Sequence, residues 1–269
     1  MTGAAALAQL RQERHVSASA LTTYLKCPAQ HSHRYIRRTE PSHRAGALAF
    51  GTAIHAALAV FYQHLMRGEE APVEEMHDLF ADVWRRELQQ PVPTLLDEGD
   101  TEDGLLCKGL ELLAVFHEQV GRPPRVLDIE APFSLEIADP ITGEAIEARL
   151  VGVFDLVVGD ADGQTRVVEH KTAARRWTED RLTYDLQLSA YSLAARLMGY
   201  GDARLTVQVL LKTKKPALEL YHPTRTAADH RDLIAVAVGV LKAIDAGIAY
   251  PVRDWHCKSC PYAHACVVA

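Results

Sequence analysis

Two apolar runs joined by a tight turn, GVFDLVV at 152–158 and TRVVEHKTA at 165–173, constrain this chain more than any other stretch. DADG at 160–163 supplies turn residues between two β-rich segments, so the three pieces read as a hairpin. A turn centred on Asp162 sets Asp155 opposite Glu169, since each lies seven residues from it. Strand side chains alternate with period two, so Asp155, Glu169 and Lys171 share one face. Two carboxylates within reach of each other repel unless a hard cation lies between them, and Mg²⁺ is commonly held by one or two carboxylates plus water and phosphate oxygens. A lysine beside such an ion is placed to orient or deprotonate an attacking water. A solvated sheet face with an i,i+2 ion pair would give the same triplet. The valines on both sides of each charge argue against it, because a strand buried on both faces makes an unheld charge costly.

The rest of the chain supplies layers to cover such strands. SASALTTYLKCP reads as a helix capped by Ser17 or Ser19 and closed near Pro28. ALAFGTAIHAALAVFYQHLM places Phe50, Ile54, Leu58, Phe61 and Leu65 on one stripe. Further helices are predicted over about 73–89, 103–120, 180–199 and 226–246, and strands over RVLDIEAPFSLEI, ARLTVQVLLKT and about 217–222. Helices, three strands in a meander, helix and strand in that order predict an α/β core with a helical elaboration. The division expected is a leader over 1–16 and one domain over 17–269. Within that domain we expect a helical part at 17–120, the α/β core at 121–247 and a cysteine-rich tail at 248–269.

Three of five cysteines fall within the last 13 residues, in DWHCKSCPYAHACVVA. Cys257, Cys260 and Cys266 at that spacing read as a metal site needing a fourth ligand, and His256 and His264 are available for a zinc knuckle. Cys107, inside GLLCKGLELL, reads as a core residue. No run approaches 18 uninterrupted apolar residues and the N-terminus lacks a basic leader, so a cytoplasmic protein with no membrane partner is expected. The net charge of −6 requires any nucleic acid to be held by local basic groups. Candidates are His33, Arg34, Arg37 and Arg38, then Lys212, Lys214 and Lys215. The strongest are Arg175, Arg176 and Trp177, which join charge to a stacking surface directly after the second strand.

The residues in GVFDLVV…VVEHKT followed by QLSAY resemble the PD-(D/E)XK nuclease superfamily, whose core is restriction-endonuclease-like, a central mixed sheet with flanking helices. In particular they resemble the RecB-like branch, which includes the AddB nuclease domain and the exonucleases of CRISPR spacer acquisition. Gly51, Thr52 and His55 match its G-T-x-x-H helix, Gly152 and Asp155 its G-x-x-D strand, Glu169 and Lys171 its E-x-K strand, and Gln187 and Tyr191 its Q-x-x-x-Y helix. The resemblance implies a metal-dependent DNA nuclease, an exonuclease acting on single strands or DNA ends. His55, Asp155, Glu169 and the His170 carbonyl would hold Mg²⁺ or Mn²⁺. Lys171 would act on the water, with Gln187 and Tyr191 positioning the lysine or the phosphate. Glu130 matches a further acidic position of some relatives. Members of that branch carry a [4Fe–4S] cluster on one upstream and three C-terminal cysteines, which Cys27, Cys257, Cys260 and Cys266 match. No G-x4-G-K-[ST] motor motif occurs, so a helicase or CRISPR integration protein, where one is used, is expected on a separate chain, and the pathway stays open among DNA repair, phage replication, defence and CRISPR adaptation. The competing expectation is a non-catalytic DNA-binding or assembly subunit that keeps the fold as a scaffold.

Overall fold

The computed structural model describes residues 8–266, so the start of the expected leader lies outside the described residues. A six-stranded mixed sheet forms the middle layer. Its strands are β1 (His15–Val16), β4 (Arg125–Ala138), β5 (Ala145–Gly159), β6 (Thr165–Ala173), β7 (Arg204–Leu211) and β8 (Ala217–Tyr221). Two short strands, β2 (Arg44–Ala45) and β3 (Thr94–Leu95), pair apart from it. The meander β4–β5–β6 is antiparallel, β6 and β7 run parallel, and β8 returns antiparallel to β7. β1 lies parallel to β5 at His15↔Arg149 and Val16↔Leu150, so residues 15–16, expected in the leader, belong to the sheet.

Helices cover both faces. On one side lie α1 (Ala18–Lys26), α7 (Leu186–Leu197) and α8 (Ala227–Asp245), over Leu150, Val157, Val167, Val207 and Val209. On the other lie α3 (Gly46–Met66), α4 (Val73–Leu88) and α5 (Glu102–Gln119), over Leu156, Val158, Val168 and Leu210. The strands therefore present apolar residues on both faces, the pattern of central strands. The stripe expected on α3 is buried at Phe50, Ile54, Leu58 and Phe61, none more than 1% exposed. Burying each such side chain stabilises the fold by about 1.5–3 kcal/mol. α3 is long and apolar enough to cross a membrane by length and composition, but half of that window is buried in the protein, against the sheet.

Local chemistry sets the element ends. Ser17 caps α1 through its side chain, which accepts the Ala20 N–H. The β5–β6 turn closes with Asp160 N–H donating to Gln164 O at 2.8 Å, and Gly163 takes φ +82°, a conformation that favours glycine. The single helix expected over 180–199 is two, α6 (Glu179–Thr183) and α7, because the Asp185 side chain accepts the N–H groups of Gln187 and Leu188 and starts a new helix. α2 (Pro28–His31) follows Cys27 directly, with proline at its first position. Cys107 lies on the exposed side of α5 and not in the core, because the buried stripe of that helix runs through Leu105, Gly109, Leu112 and Phe116.

Candidate active site

The β5–β6 ladder ends at Leu156↔Val168. One rung further, Asp155 and Glu169 lie where the strands part, β6 staying with β7 through Ala173 while β5 runs back toward β1. At this fork the His170 N–H donates to Asp155 Oδ2 at 2.8 Å, a side-chain oxygen taking the place of a ladder carbonyl. From the α3 side, His55 Nδ1 stands 3.6 Å from Asp155 Oδ1. From the α7 side, Lys171 Nζ donates to Gln187 Oε1 at 3.1 Å and lies in ion contact with Glu169 Oε1. Gln187 Nε2 in turn donates to Tyr191 Oη at 3.0 Å, and the Tyr191 hydroxyl donates to Val153 O. Lysine, glutamine, tyrosine and the backbone of the aspartate strand thus form one chain. Gly152 makes room for it: a Cβ there would stand 2.3 Å from Phe133 Cζ, and Phe133 packs edge-on against Tyr191.

Burial decides the electrostatics. Glu169 is 2% exposed, and of its two carboxylate oxygens only Oε1 is met, by the Lys171 ammonium, while Oε2 has no hydrogen-bond partner. Burial, and then the charge of Glu169, hold the Asp155 carboxyl well above the ordinary carboxylate range. Burial alone would lower Lys171, but the charges of Glu169 and Asp155 outweigh it and raise the lysine above its ordinary value. It is therefore an ammonium at neutral pH. Burial lowers His55, which is neutral and able to ligate a metal. The His170 ring points to the opposite face from Glu169, stacked 5.6 Å from Tyr62, and burial holds it neutral. Among the described residues no three His, Cys, Asp or Glu side chains stand in a closed ligand set. The donors nonetheless fit a hard divalent ion, because the buried Glu169 carboxylate, its Oε2 unpartnered, and the partly buried Asp155 carboxyl converge beside a neutral imidazole.

The surrounding candidates separate. Arg175 and Arg176 are exposed, Arg176 pairing with Glu219 at 2.6 Å. Trp177 is not a stacking surface: it is 5% exposed, with the Arg181 guanidinium 3.9 Å above its ring and its backbone N–H donated to Tyr221 Oη. An apolar ring at the start of a crossover serves the core when the chain turns inward there. His33 is likewise buried, stacked 5.9 Å from Tyr262, and does not face solvent as a phosphate contact would. Lys212 follows β7 beside the end of β6, its N–H donating to Ala173 O. Glu130 is exposed on β4, directly across from Asp155. Sequence reasoning overlooked Tyr184, a 78% exposed aromatic three residues before Gln187.

The four matched cysteines come together. Cys27, Cys257, Cys260 and Cys266 line one cavity of about 190 Å³ with His33, His256 and Tyr262, though 230 residues separate the first cysteine from the second. Burial raises the Cys260 thiol, with the other three thiols adding to the shift. His256 lines the cavity with Nε2 bonded to Val252 O, whereas His264 is exposed. The tail also holds the segment leading into α3: Ser42 N–H donates to Pro261 O at 2.9 Å and the His43 ring meets Ser259 O at 3.2 Å.

A mixed sheet covered on both faces, with two acidic side chains and a held lysine at the fork of two strands, defines an α/β fold with a candidate active site at that fork. The model of the PD-(D/E)XK nuclease superfamily matches residues 15–267, and the chain belongs to that superfamily. No curated protein matches the chain. Among solved structures, the Eubacterium rectale protein named "Putative exonuclease" superposes with a TM-score of 0.56 at 14% identity, over 95% of this chain and 90% of that one. This likeness concerns the fold. A protein designated SSO0001 aligns at 14% identity over 92% and 93% of the two chains with a TM-score of 0.38.

Proposed function

We propose that this chain is a metal-dependent deoxyribonuclease that hydrolyses phosphodiester bonds at DNA ends or in single strands, a reading supported by its superfamily and by a fold relative named "Putative exonuclease". The observation that carries the reading is Glu169, a buried carboxylate with one oxygen on the Lys171 ammonium and the other unpartnered, facing a second carboxyl at the mouth of a strand fork. Packing alone would have placed valine there.

Asp155, Glu169, His55 and the His170 carbonyl would hold Mg²⁺ or Mn²⁺. Such an ion supplies positive charge to the phosphate in the transition state and lowers the pKa of bound water. In the hydrolysis a water oxygen bonds to phosphorus, the bridging P–O bond breaks, the water gives up a proton and the departing oxygen gains one. Lys171, charged at neutral pH, donates from Nζ and so orients the water or a phosphate oxygen; it does not begin as a base. Gln187 fixes that ammonium, and Tyr191 fixes Gln187. Arg175 and Arg176 lie on the crossover just beyond and would meet the phosphate backbone.

The four-cysteine cavity is read as the seat of a [4Fe–4S] cluster, as in the RecB-like branch, supported by four thiols lining one cavity in which the rings of His33 and His256 are already bonded to Thr39 Oγ1 and Val252 O. The cluster would tie α1 to the tail. Partners on this reading are DNA and a separate motor or integration protein in the cytoplasm, in repair or CRISPR adaptation.

The test is cleavage of end-labelled single-stranded and duplex DNA by anaerobically purified protein with Mg²⁺, Mn²⁺ or EDTA, beside Glu169→Ala. Metal-dependent cleavage lost in the variant is expected. Metal-loaded protein that binds DNA and leaves it intact would replace the enzyme with a non-catalytic binding subunit.

A further inference from the structure

The crossover from β6 to α7 carries one aromatic ring turned outward on a backbone that is firmly held. Arg225, half-buried, donates from Nη2 to Leu182 O at 2.6 Å and to Asp185 O at 3.2 Å, gripping the chain on both sides of Tyr184. Its Nε donates to Ser189 Oγ at 2.8 Å, so the clamp is anchored in α7. Asp185 Oδ1 takes the Gln187 N–H at 2.8 Å and the Leu188 N–H at 3.2 Å. At the other end of the crossover Trp177 is buried beneath Arg181. Between these anchors the Tyr184 ring stands 78% exposed.

Its position matters because Gln187, which holds Lys171, is three residues on, a backbone reach of at most about 11 Å. Asp185, its neighbour, is near enough for its charge to act on Lys171. A lone exposed aromatic is ordinary. A ring on a clamped backbone at the rim of a hydrolytic centre is preorganised for contact, since tyrosine freezes only two side-chain torsions on binding. The same crossover carries the exposed cation Arg175, which forms no ion pair among the described residues. Cation and exposed ring on one segment suit a polymer with phosphates and flat bases. Bases inside a closed duplex are stacked on each other and do not offer a face.

We propose that Tyr184 is a stacking platform for an unpaired base next to the scissile phosphate, and that it selects single strands or frayed ends over closed duplex. This rests on the nuclease reading above and names its substrate class.

The experiment uses full-length protein and single-stranded oligonucleotides with an abasic site moved one position at a time, scored by binding in EDTA and by cleavage with Mg²⁺. Deleting the base that meets Tyr184 weakens binding by wild type about 5–150-fold. Tyr184→Ala shows that loss on intact DNA and no further loss on the abasic strand, while Tyr184→Phe and Tyr184→Trp keep the wild-type pattern. Circular dichroism and melting confirm the fold of each variant. An abasic penalty of equal size in wild type and Tyr184→Ala overturns the platform and leaves the nuclease reading standing. A wild type that cuts duplex ends but neither binds nor cuts single strands overturns the platform alone, and one that cuts neither overturns both.

Discussion

Glu130 stands across the β4–β5 ladder from Asp155, between the pairs Ile129↔Leu156 and Ala131↔Phe154, with its backbone at φ +49°. Both strands change face at this rung. On β5, Leu150 and Phe154 pack toward α7 and α8, whereas Leu156 and Val158 pack toward α3 and α5. On β4, Phe133 and Leu135 face the first layer and Ile129 the second. A left-handed residue reverses the alternation, and Asp155 is carried to the seam where it meets His55 from one helical layer and the Lys171 side from the other.

The left-handed region is costly for a residue with a Cβ, by about 1–2 kcal/mol. Glu130→Gly is therefore expected to raise the melting temperature by a few degrees and Glu130→Val to lower it. If the role of this position lies in its backbone, Glu130→Gln retains cleavage. A Glu130→Gln variant as inactive as Glu169→Ala would make the carboxylate itself part of the metal site.

The raised Asp155 carboxyl sets a pH dependence for the metal-free protein. A folded-state pKa above the unfolded one means that the folded chain binds the proton more tightly, so stability falls as pH rises from about 3.8 through the raised value. Asp155→Asn removes that cost and still accepts the His170 N–H. Melting in EDTA should show the variant more stable than wild type at about pH 8, with the gap closing toward about pH 4. Adding Mn²⁺ should stabilise wild type alone.

Lys171→Ala is expected to reduce cleavage about 10²–10⁴-fold. Its Mn²⁺-dependent rise in melting temperature should persist, because the carboxylates and His55 remain. Gln187→Ala should act in the same direction more weakly, as the ammonium loses one hold of several. Wild-type turnover by Lys171→Ala would falsify the assigned centre.

Substituting Cys27 or Cys257 by Ser should remove bound iron and sulfide together with visible absorbance, and lower stability; Cys107→Ser should change neither. Stoichiometric zinc in colourless wild-type protein would replace the cluster by a four-thiolate zinc site.

The hairpin register was legible because a turn fixes it: DADG places 155 against 169, and the ladder Leu156↔Val168, Val157↔Val167 runs in that register. Element types and the α3 stripe followed from periodicity for similar reasons of local geometry. The reversal at Glu130 was not legible, since glutamate gives no local signal for a left-handed backbone and the cause is tertiary. The same holds for Trp177 and Cys107, whose burial depends on how a crossover turns and which side of α5 meets the sheet. The break before α7 was readable in principle from Asp185, a good cap inside a helical pattern.

His55 and Asp155 meet across 100 residues of chain, whereas Asp155, Glu169 and Lys171 lie within one hairpin. Contacts close in sequence form early in folding and those distant in sequence form late, because the loop entropy must be overcome first. A half-folded copy would thus hold the acidic pair before α3 docks its imidazole against it. On the proposed function, competence to cut would arrive only when α3 docks, and a chain stalled short of that step would hold the acidic pair without its imidazole.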